Sequence, residues 1–390
     1  MNNKTNKDKT QQIEEKIIIN GSASANFEKK FFKSSTLRLS KIYSITSQRQ
    51  KYLMVILIGM IIGFLTLIFL KNTGLYSMGV TAITQGVSRV ITSVMVLNKV
   101  DKEVVNIVSE FTFWFFILFV NAPLLFFAKK YIGNQFTFLT LAYLLTSAIF
   151  PFSISFIPGI QNILLFGNIK SDVFTNLQNI TLLTWDALDS GKVISLFFYS
   201  LAFPFTSVML YTIVYALGGS TGGSDIVSIY YLKIKLKSLG KILIIINFFC
   251  VIIGSFIGSY LSIGLLEKNW NYQNFFSPNL VCSIINFSIF GFLLQILYPR
   301  FRMSSIKVFG QNIEKINEHL DSINCIHSRT ISKAIGSYSK KEQYILEMYI
   351  TIIELGPIIK EIRKIDENAF IVINKNIEID GNLSFPVFLR

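Results

Sequence analysis

The run 52-YLMVILIGMIIGFLTLIFL-70 holds nineteen residues without a single charge, about the length a helix needs to cross roughly 30 Å of hydrocarbon. Five further apolar runs recur along the chain, at 111–128, 136–157, 194–217, 241–263 and 280–297. After residue 300 the pattern stops, and 301–390 reads as ordinary soluble sequence. Composition agrees: 51% of residues are hydrophobic and only 15% charged, a balance that a soluble fold of this size would struggle to keep from aggregating. The expected fold is an α-helical polytopic membrane protein of about six spans, with a small α+β domain after the last.

Residues 1–51 are polar and rich in Lys, Asn, Ser and Thr, the composition of a disordered basic tail, with Arg49 and Lys51 placed to touch anionic lipid. No small-residue cleavage site follows the first apolar run, so that helix is expected to be its own insertion signal. The net charge of +14 does not point to nucleic acid, because the basic residues form no patch interleaved with stacking aromatics. Loop asymmetry explains them: Lys129 and Lys130, Lys233, Lys235 and Lys237, then Arg300, Arg302 and Lys307 fall on the same side as the tail. The positive-inside rule then puts both termini in the cytosol of a plasma-membrane protein. Outside lie 71–110, the polar loop 158–193 with Asp172, Asp186 and Asp189, and the turn near Glu267.

Two stretches interrupt the simple count. One is 79-GVTAITQGVSRVITSVMVL-97, with Gln85, Gly86 and Arg89; the other is 218-GGSTGGSDIVSIYYL-232, with four glycines and Asp225. Each reads as a broken or re-entrant helix. Laid over one another, 78-MGVTAITQ-85 and 218-GGSTGGSD-225 share Gly79 with Gly219 and Thr81 with Thr221. Downstream, 112-TFWFFILFVN-121 matches 238-SLGKILIIIN-247 in hydropathy and in a closing Asn. Three spans per half make the halves enter the membrane upside down, a 3+3 inverted repeat of the kind secondary transporters use. The alternative is a pair of surface loops that look alike because Gly, Ser and Thr are common in turns.

The stretch 218-GGSTGGSDIVSIYYLKIKLKSLGKILIIIN-247 resembles the signature of the YitT family of bacterial membrane proteins. The segment 121-NAPLLFFAKKYIGNQFTFLT-140 is similar to that family's Asn and Pro, short basic loop and following Phe, and 344-YILEMYITI-352 with 366-DENAFIVI-373 is similar to its cytosolic domain. The first-half glycine motif departs from the family at Met78, Ala82 and Ile83. The resemblance implies a multi-pass plasma-membrane protein and supplies no reaction or substrate.

The candidate substrate site is Gly218, Gly219, Ser220, Thr221, Gly222, Gly223, Ser224 and Asp225, with Gly79, Thr81, Arg89, Asn121 and Asn247. Glycines free the backbone for unusual angles and close approach. First-turn amides near Ser224, helped by the Ser220, Thr221 and Ser224 hydroxyls, would suit an anionic or polar group. Asp225 would take a cation or proton, or merely cap its helix. Arg89 would pair with Asp225, attract an anion, or snorkel to the interface. Asn121 and Asn247 would bond unwound backbone across the repeat, and Pro204 would kink the fourth span.

No enzyme, metal or cofactor is expected. His319 and His327 stand apart as surface histidines without a Cys or carboxylate pair at ligand spacing, and no P-loop, dinucleotide fingerprint or nucleophile elbow occurs. Cys250, Cys282 and Cys325 read as inert packing. The βαββαβ order after residue 303 is that of a ferredoxin-like domain; such folds pair through sheet edges and bind regulators, so a homo-oligomer is one expected assembly. The leading function is a transporter or permease for a small solute; the alternative is a membrane scaffold or sensor whose soluble domain binds the ligand or partner.

Overall fold

The computed structural model describes residues 47–171, 181–235, 239–297 and 303–377, except 311, 324, 326 and 337–339. Within the tail it describes Glu15–Ile17 (β1) and Ala25–Phe27 (β2), paired antiparallel, so the expectation of disorder does not hold for those six residues. The rest of the tail to residue 46, Asp172, Lys237, Arg300 and Arg302 lie outside the described residues.

The membrane part runs α1 (Gln48–Thr66, prolonged by a π-helical turn Leu67–Lys71), α2 (Val80–Leu97), α3 (Lys102–Tyr131), α4 (Asn134–Ser155) and α5 (Ser190–Ala216). It continues as α6 (Ser224–Lys235), α7 (Leu239–Ser255), a second π-helical turn Phe256–Leu261 leading into α8 (Ser262–Glu267), α9 (Tyr272–Phe275) and α10 (Pro278–Leu297). Among the described residues seven helices are long and apolar enough to cross a membrane: Gln48–Lys71, Val80–Leu97, Lys102–Tyr131, Asn134–Ser155, Ala187–Ala216, Ile242–Glu267 and Tyr272–Leu297. The surface is inverted relative to a soluble bundle. Phe126 is 75% exposed while Asn121, Thr140 and Ser200 are fully buried, the arrangement of a protein whose outer solvent is lipid. The chain is an integral membrane protein.

Two differences from the sequence reading are physical. Val80–Leu97 is an unbroken helix, and the break lies before it, at 72–79; the polar residues that lowered its apparent hydropathy, among them Thr84, Gln85, Ser88 and Arg89, all point inward. Helix α3 begins at Lys102, nine residues before its apolar run, because the Asp101 carboxylate accepts from the Glu103 amide and caps a polar first turn.

Close helix contacts set the bundle. α1 lies along α4 and α5 along α10, while α2 packs against both α3 and α7. Gly63 sits on the Ser147 carbonyl and the Pro151 ring, where a Cβ would come within 2.9 Å and 2.8 Å. Gly59, one turn before it, faces Thr146 on the same helix, a small-xxx-small stripe that lets backbones approach.

The C-terminal unit is β3 (Met303–Gly310), α11 (Ile313–Ser322), β4 (Arg329–Ile335), β5 (Glu342–Thr351), α12 (Ile352–Ile365) and β6 (Phe370–Ile377). Its antiparallel sheet has the order β4-β5-β3-β6. Alternate residues Ile306 and Val308 on β3, and Leu346, Met348 and Ile350 on β5, are fully buried, the period-two pattern of a sheet with one face on a core. The histidines are not isolated. His327 is 8% exposed and lies 3.2 Å from Glu354, and His319 Nε2 lies 3.0 Å from Glu361, because both stand where α12 meets the rest of the domain.

Lys364 first, then His319, holds the Glu361 carboxyl below the usual glutamate range. A depressed folded-state pKa contributes stability above the unfolded value, about pH 4.3, and loses it as pH falls through the folded value. The stability difference between wild type and Glu361→Gln should therefore shrink below about pH 4.3. Thermal unfolding of both proteins across pH 3 to 7 checks it, and because the side chain remains 25% exposed, solvent screening keeps the effect small.

Candidate functional site

The backbone from Leu75 to Met78 leaves the helical ladder, and side chains take its place. Arg89 Nη2 donates to the Gly74 carbonyl at 2.8 Å, and Asn279 Nδ2 donates to the same oxygen at 3.0 Å. The Gln85 amide reaches back from α2, donating to Leu75 O at 2.8 Å and accepting from the Ser77 amide at 3.0 Å. Ser283 Oγ accepts from the Tyr76 amide at 2.8 Å. An unwound strand inside a bundle survives only when its polar groups are bonded in this way.

The second break follows the same logic. Gly218 and Gly219 close the end of α5 through their amides to Tyr215 O and Val214 O. The Ser220 amide donates to Thr140 Oγ1 at 3.0 Å, and the Gly222 amide to Ser220 Oγ at 3.1 Å. Gly222 and Gly223 take φ of 88° and 58°, the left-handed region that suits glycine. The Gly223 amide donates to Asn121 Oδ1, while Asn121 Nδ2 is fixed on Ile117 O at 2.8 Å.

These breaks meet. A Cβ on Gly223 would lie 3.5 Å from Val80, the first residue of α2, and one on Gly79 would strike Ser224, the first residue of α6. Asn247 Oδ1 accepts from Ser224 Oγ at 3.5 Å and would lie 3.4 Å from a Gly79 Cβ. Asn121 of α3 thus holds the turn before α6, and Asn247 of α7 abuts the turn before α2. Two helix N-termini face each other, each flanked by an Asn from the other half.

Gly79, Gly222, Gly223, Ser224, Asn121 and Asn247 therefore come together. Gly218 and Gly219 belong to the α5 cap. Thr81, the second residue of α2, is half-buried, its carbonyl taken by Thr84 Oγ1 at 2.9 Å. The half-buried Asp225 accepts from Tyr215 OH and Thr221 Oγ1. Arg89 is not its partner: the guanidinium stacks 4.5 Å over the Tyr76 ring and bonds Gly74 instead, because a helical Arg side chain leans toward its own N-terminus. The amides of Gly222, Gly223 and Asp225, expected to be offered to an anion, are bonded to Ser220, Asn121 and the Gly222 carbonyl.

Sequence reasoning missed the phenols. Tyr211 bonds Tyr143 and Tyr215 bonds Asp225; their spacing on α5, four residues apart, was the available signal. It also missed the pair Lys71–Glu110, with Gln161 and Trp114 donating to the same carboxylate at 3.0 Å and 3.1 Å.

Residues 327–381 match a family model described as an uncharacterized protein conserved in bacteria, DUF2179. The chain is 32% identical over 367 residues to the uncharacterized protein MG443 of Mycoplasma genitalium, covering 90% of this chain and 92% of that one. It is 29% identical over 373 residues to the uncharacterized protein MG432 of the same organism, covering 92% and 93%. A Spiroplasma citri protein, described as an uncharacterized protein in the fibril gene 3′ region, is 22% identical over 248 residues, covering 54% of this chain and 63% of its own length. No solved structure matches the chain.

Proposed function

The chain belongs to the same family as MG443 of Mycoplasma genitalium, and on that premise we propose that it is a plasma-membrane transporter or permease for a small polar or ionic solute. The relatives match across nearly the full length, so the helical bundle and the C-terminal domain travel together as one working unit. The C-terminal match is the domain associated with YitT-family proteins, which supports the resemblance read in 218–247.

The observation that carries the reading is the meeting of the two breaks. Lys71, at the end of α1, bonds Glu110, two turns into α3, so both ends of the intervening segment sit at one depth and on one face. In this reading the single helix between them, α2, does not cross fully. It starts inside the bundle at Gly79 and returns to the face it left. The same parity gives six crossings, with α6 the inverted counterpart of α2. Contacts between the Gln48 and Gln135 side chains, 3.0 Å apart, set the opposite face, where loop basicity places the cytosol. Paired half-helices ending at mid-depth are how transporters of inverted-repeat build make a solute site.

In this reading Asp225 is the ionisable group of the site, held by Tyr215 and Thr221, and a carboxylate at membrane depth is kept there for a partner or a proton. The C-terminal domain regulates or oligomerises the bundle, and no step of the function is catalytic.

Cysteine substitutions through 221–225 and 78–81, in a background without Cys250, Cys282 and Cys325, test the proposal in cells and inside-out vesicles. Labelling that switches sides and is lost in Asp225→Asn is the expected result; labelling confined to the cytosolic side rejects a transport site there.

A further inference from the structure

Arg89 is 8% exposed, and no carboxylate pairs with it among the described residues. Its Nη2 is used on Gly74, but Nη1 is buried without a hydrogen-bond partner. Ser93 Oγ and Ser262 Oγ are likewise buried and unpartnered.

The helix register lines these three residues along one helix interface. Ala82 lies against Gly254 and Gly86 against Gly258, where a Cβ on Gly258 would come 2.7 Å from Gly86 Cα. α2 therefore runs parallel to α7 with residue 82 beside 254 and 86 beside 258. One turn further, Arg89 and Ser93 on α2 oppose Ser262, which continues the stripe 254, 258, 262. Gly258 would also place a Cβ 3.2 Å from Arg89 Cδ, and Ser259 Oγ holds the Tyr76 hydroxyl at 2.6 Å beneath the guanidinium. The π-helical turn 256–261 sits at this contact, as such turns often do at functional sites.

We propose that Arg89, Ser93 and Ser262 bind a small oxyanion of the carboxylate or phosphate class between α2 and α8. A guanidinium always carries its charge, and a buried charge without a counterion costs several kcal/mol. Water would satisfy the two hydroxyls but not the charge. A guanidinium N–H and two hydroxyls free to donate suit an acceptor-only ligand, and Arg is matched to oxyanions by its fork. The amides of Gly222, Gly223 and Asp225 are already bonded, so the proposed anion site lies here instead. Arg89 is nine residues beyond Val80, about 14 Å along the helix, on the face of the Lys71–Glu110 pair. As a solute site it rests on the transport reading and narrows the solute to an anion approaching from that face; as a binding site it stands on the packing alone.

Full-length protein in detergent is titrated with sodium phosphate at constant ionic strength, and separately with phosphatidylglycerol after delipidation, while thermal unfolding is followed. At about a hundredfold excess over Kd, phosphate is expected to raise Tm by roughly 3 °C. Arg89→Gln should abolish the shift. Ser93→Ala and Ser262→Ala should weaken phosphate roughly tenfold without lowering the ligand-free Tm, since each removes a hydroxyl with no partner; they carry the test if Arg89→Gln does not fold. Asp225→Asn should keep the shift, which separates this site from the glycine-loop proposal. A shift given by the lipid alone, and lost with the same variants, assigns the oxyanion to a headgroup and upholds the site. No shift with either probe, or a shift unaltered by the Arg89 and serine variants, overturns it.

Discussion

Lys71→Met is expected to destabilise the bundle by about 3–5 kcal/mol, because it leaves the Glu110 carboxylate buried without its cation. The Lys71 and Glu110 side chains are only 14% and 4% exposed, so solvent screening does little for either. Gln161 and Trp114 would still donate to the carboxylate, and these bonds do not replace a charge. The double variant Lys71→Met/Glu110→Gln removes both charges and keeps an acceptor for Trp114, so it should return to within about 1 kcal/mol of wild type. Unfolding by heat or denaturant in one detergent, for the wild type, both single variants and the double, checks the cycle. Equal losses in single and double variants would mean that the pair is not what holds α1 to α3.

Gly254→Val is expected to cost about 3 kcal/mol, the upper end of the overpacking range. A Cβ at Gly254 would lie 2.5 Å from the Ala82 carbonyl oxygen and 2.7 Å from its carbon, and one at Gly86 would lie 2.5 Å from Gly254 O. Both partners are backbone, so no side chain can swing aside. The added methyls would force α2 from α7, and with it the Gly79 turn and the Arg89 side chain. Gly191→Ala is the control: nothing lies within 4 Å of its Cβ position, so Ala should be neutral or stabilising by up to about 1 kcal/mol. Thermal unfolding of both variants separates close packing from a general intolerance of side chains at glycine.

How much was legible follows from the physics of each signal. Apolar runs set the spans, since a run of that length has few uses besides crossing lipid, and the alternation in 303–310 and 344–351 set β3 and β5. The pairing of Asn121 and Asn247 with the glycine turns was legible from their matching positions after each break. The unbroken length of α2 was not, because Gln85, Ser88 and Arg89 read as interruptions until the neighbours they are buried against are known. Tyr143, Tyr211, Lys71 and Glu110 were hidden for a related reason: their partners lie on other helices, and each residue alone reads as a span flank or core filler. The partners of the Gly222 and Gly223 amides ahead of α6 were hidden too, since free donors are visible in a sequence only as glycines, and the Ser220 and Asn121 side chains that take these amides come from packing.

The account turns on whether α2 re-enters or crosses. With the native cysteines replaced, Lys102→Cys, exposed at the start of α3, is treated with a membrane-impermeant maleimide in intact cells and in inside-out vesicles, beside Ser47→Cys, exposed just before α1. A re-entrant α2 leaves α1 as the one full crossing between the two positions, so Lys102→Cys should label from outside and Ser47→Cys only from inside. Labelling of Lys102→Cys from the same face as Ser47→Cys would make α2 a full crossing and contradict the meeting of two half-helices on which the proposed function rests.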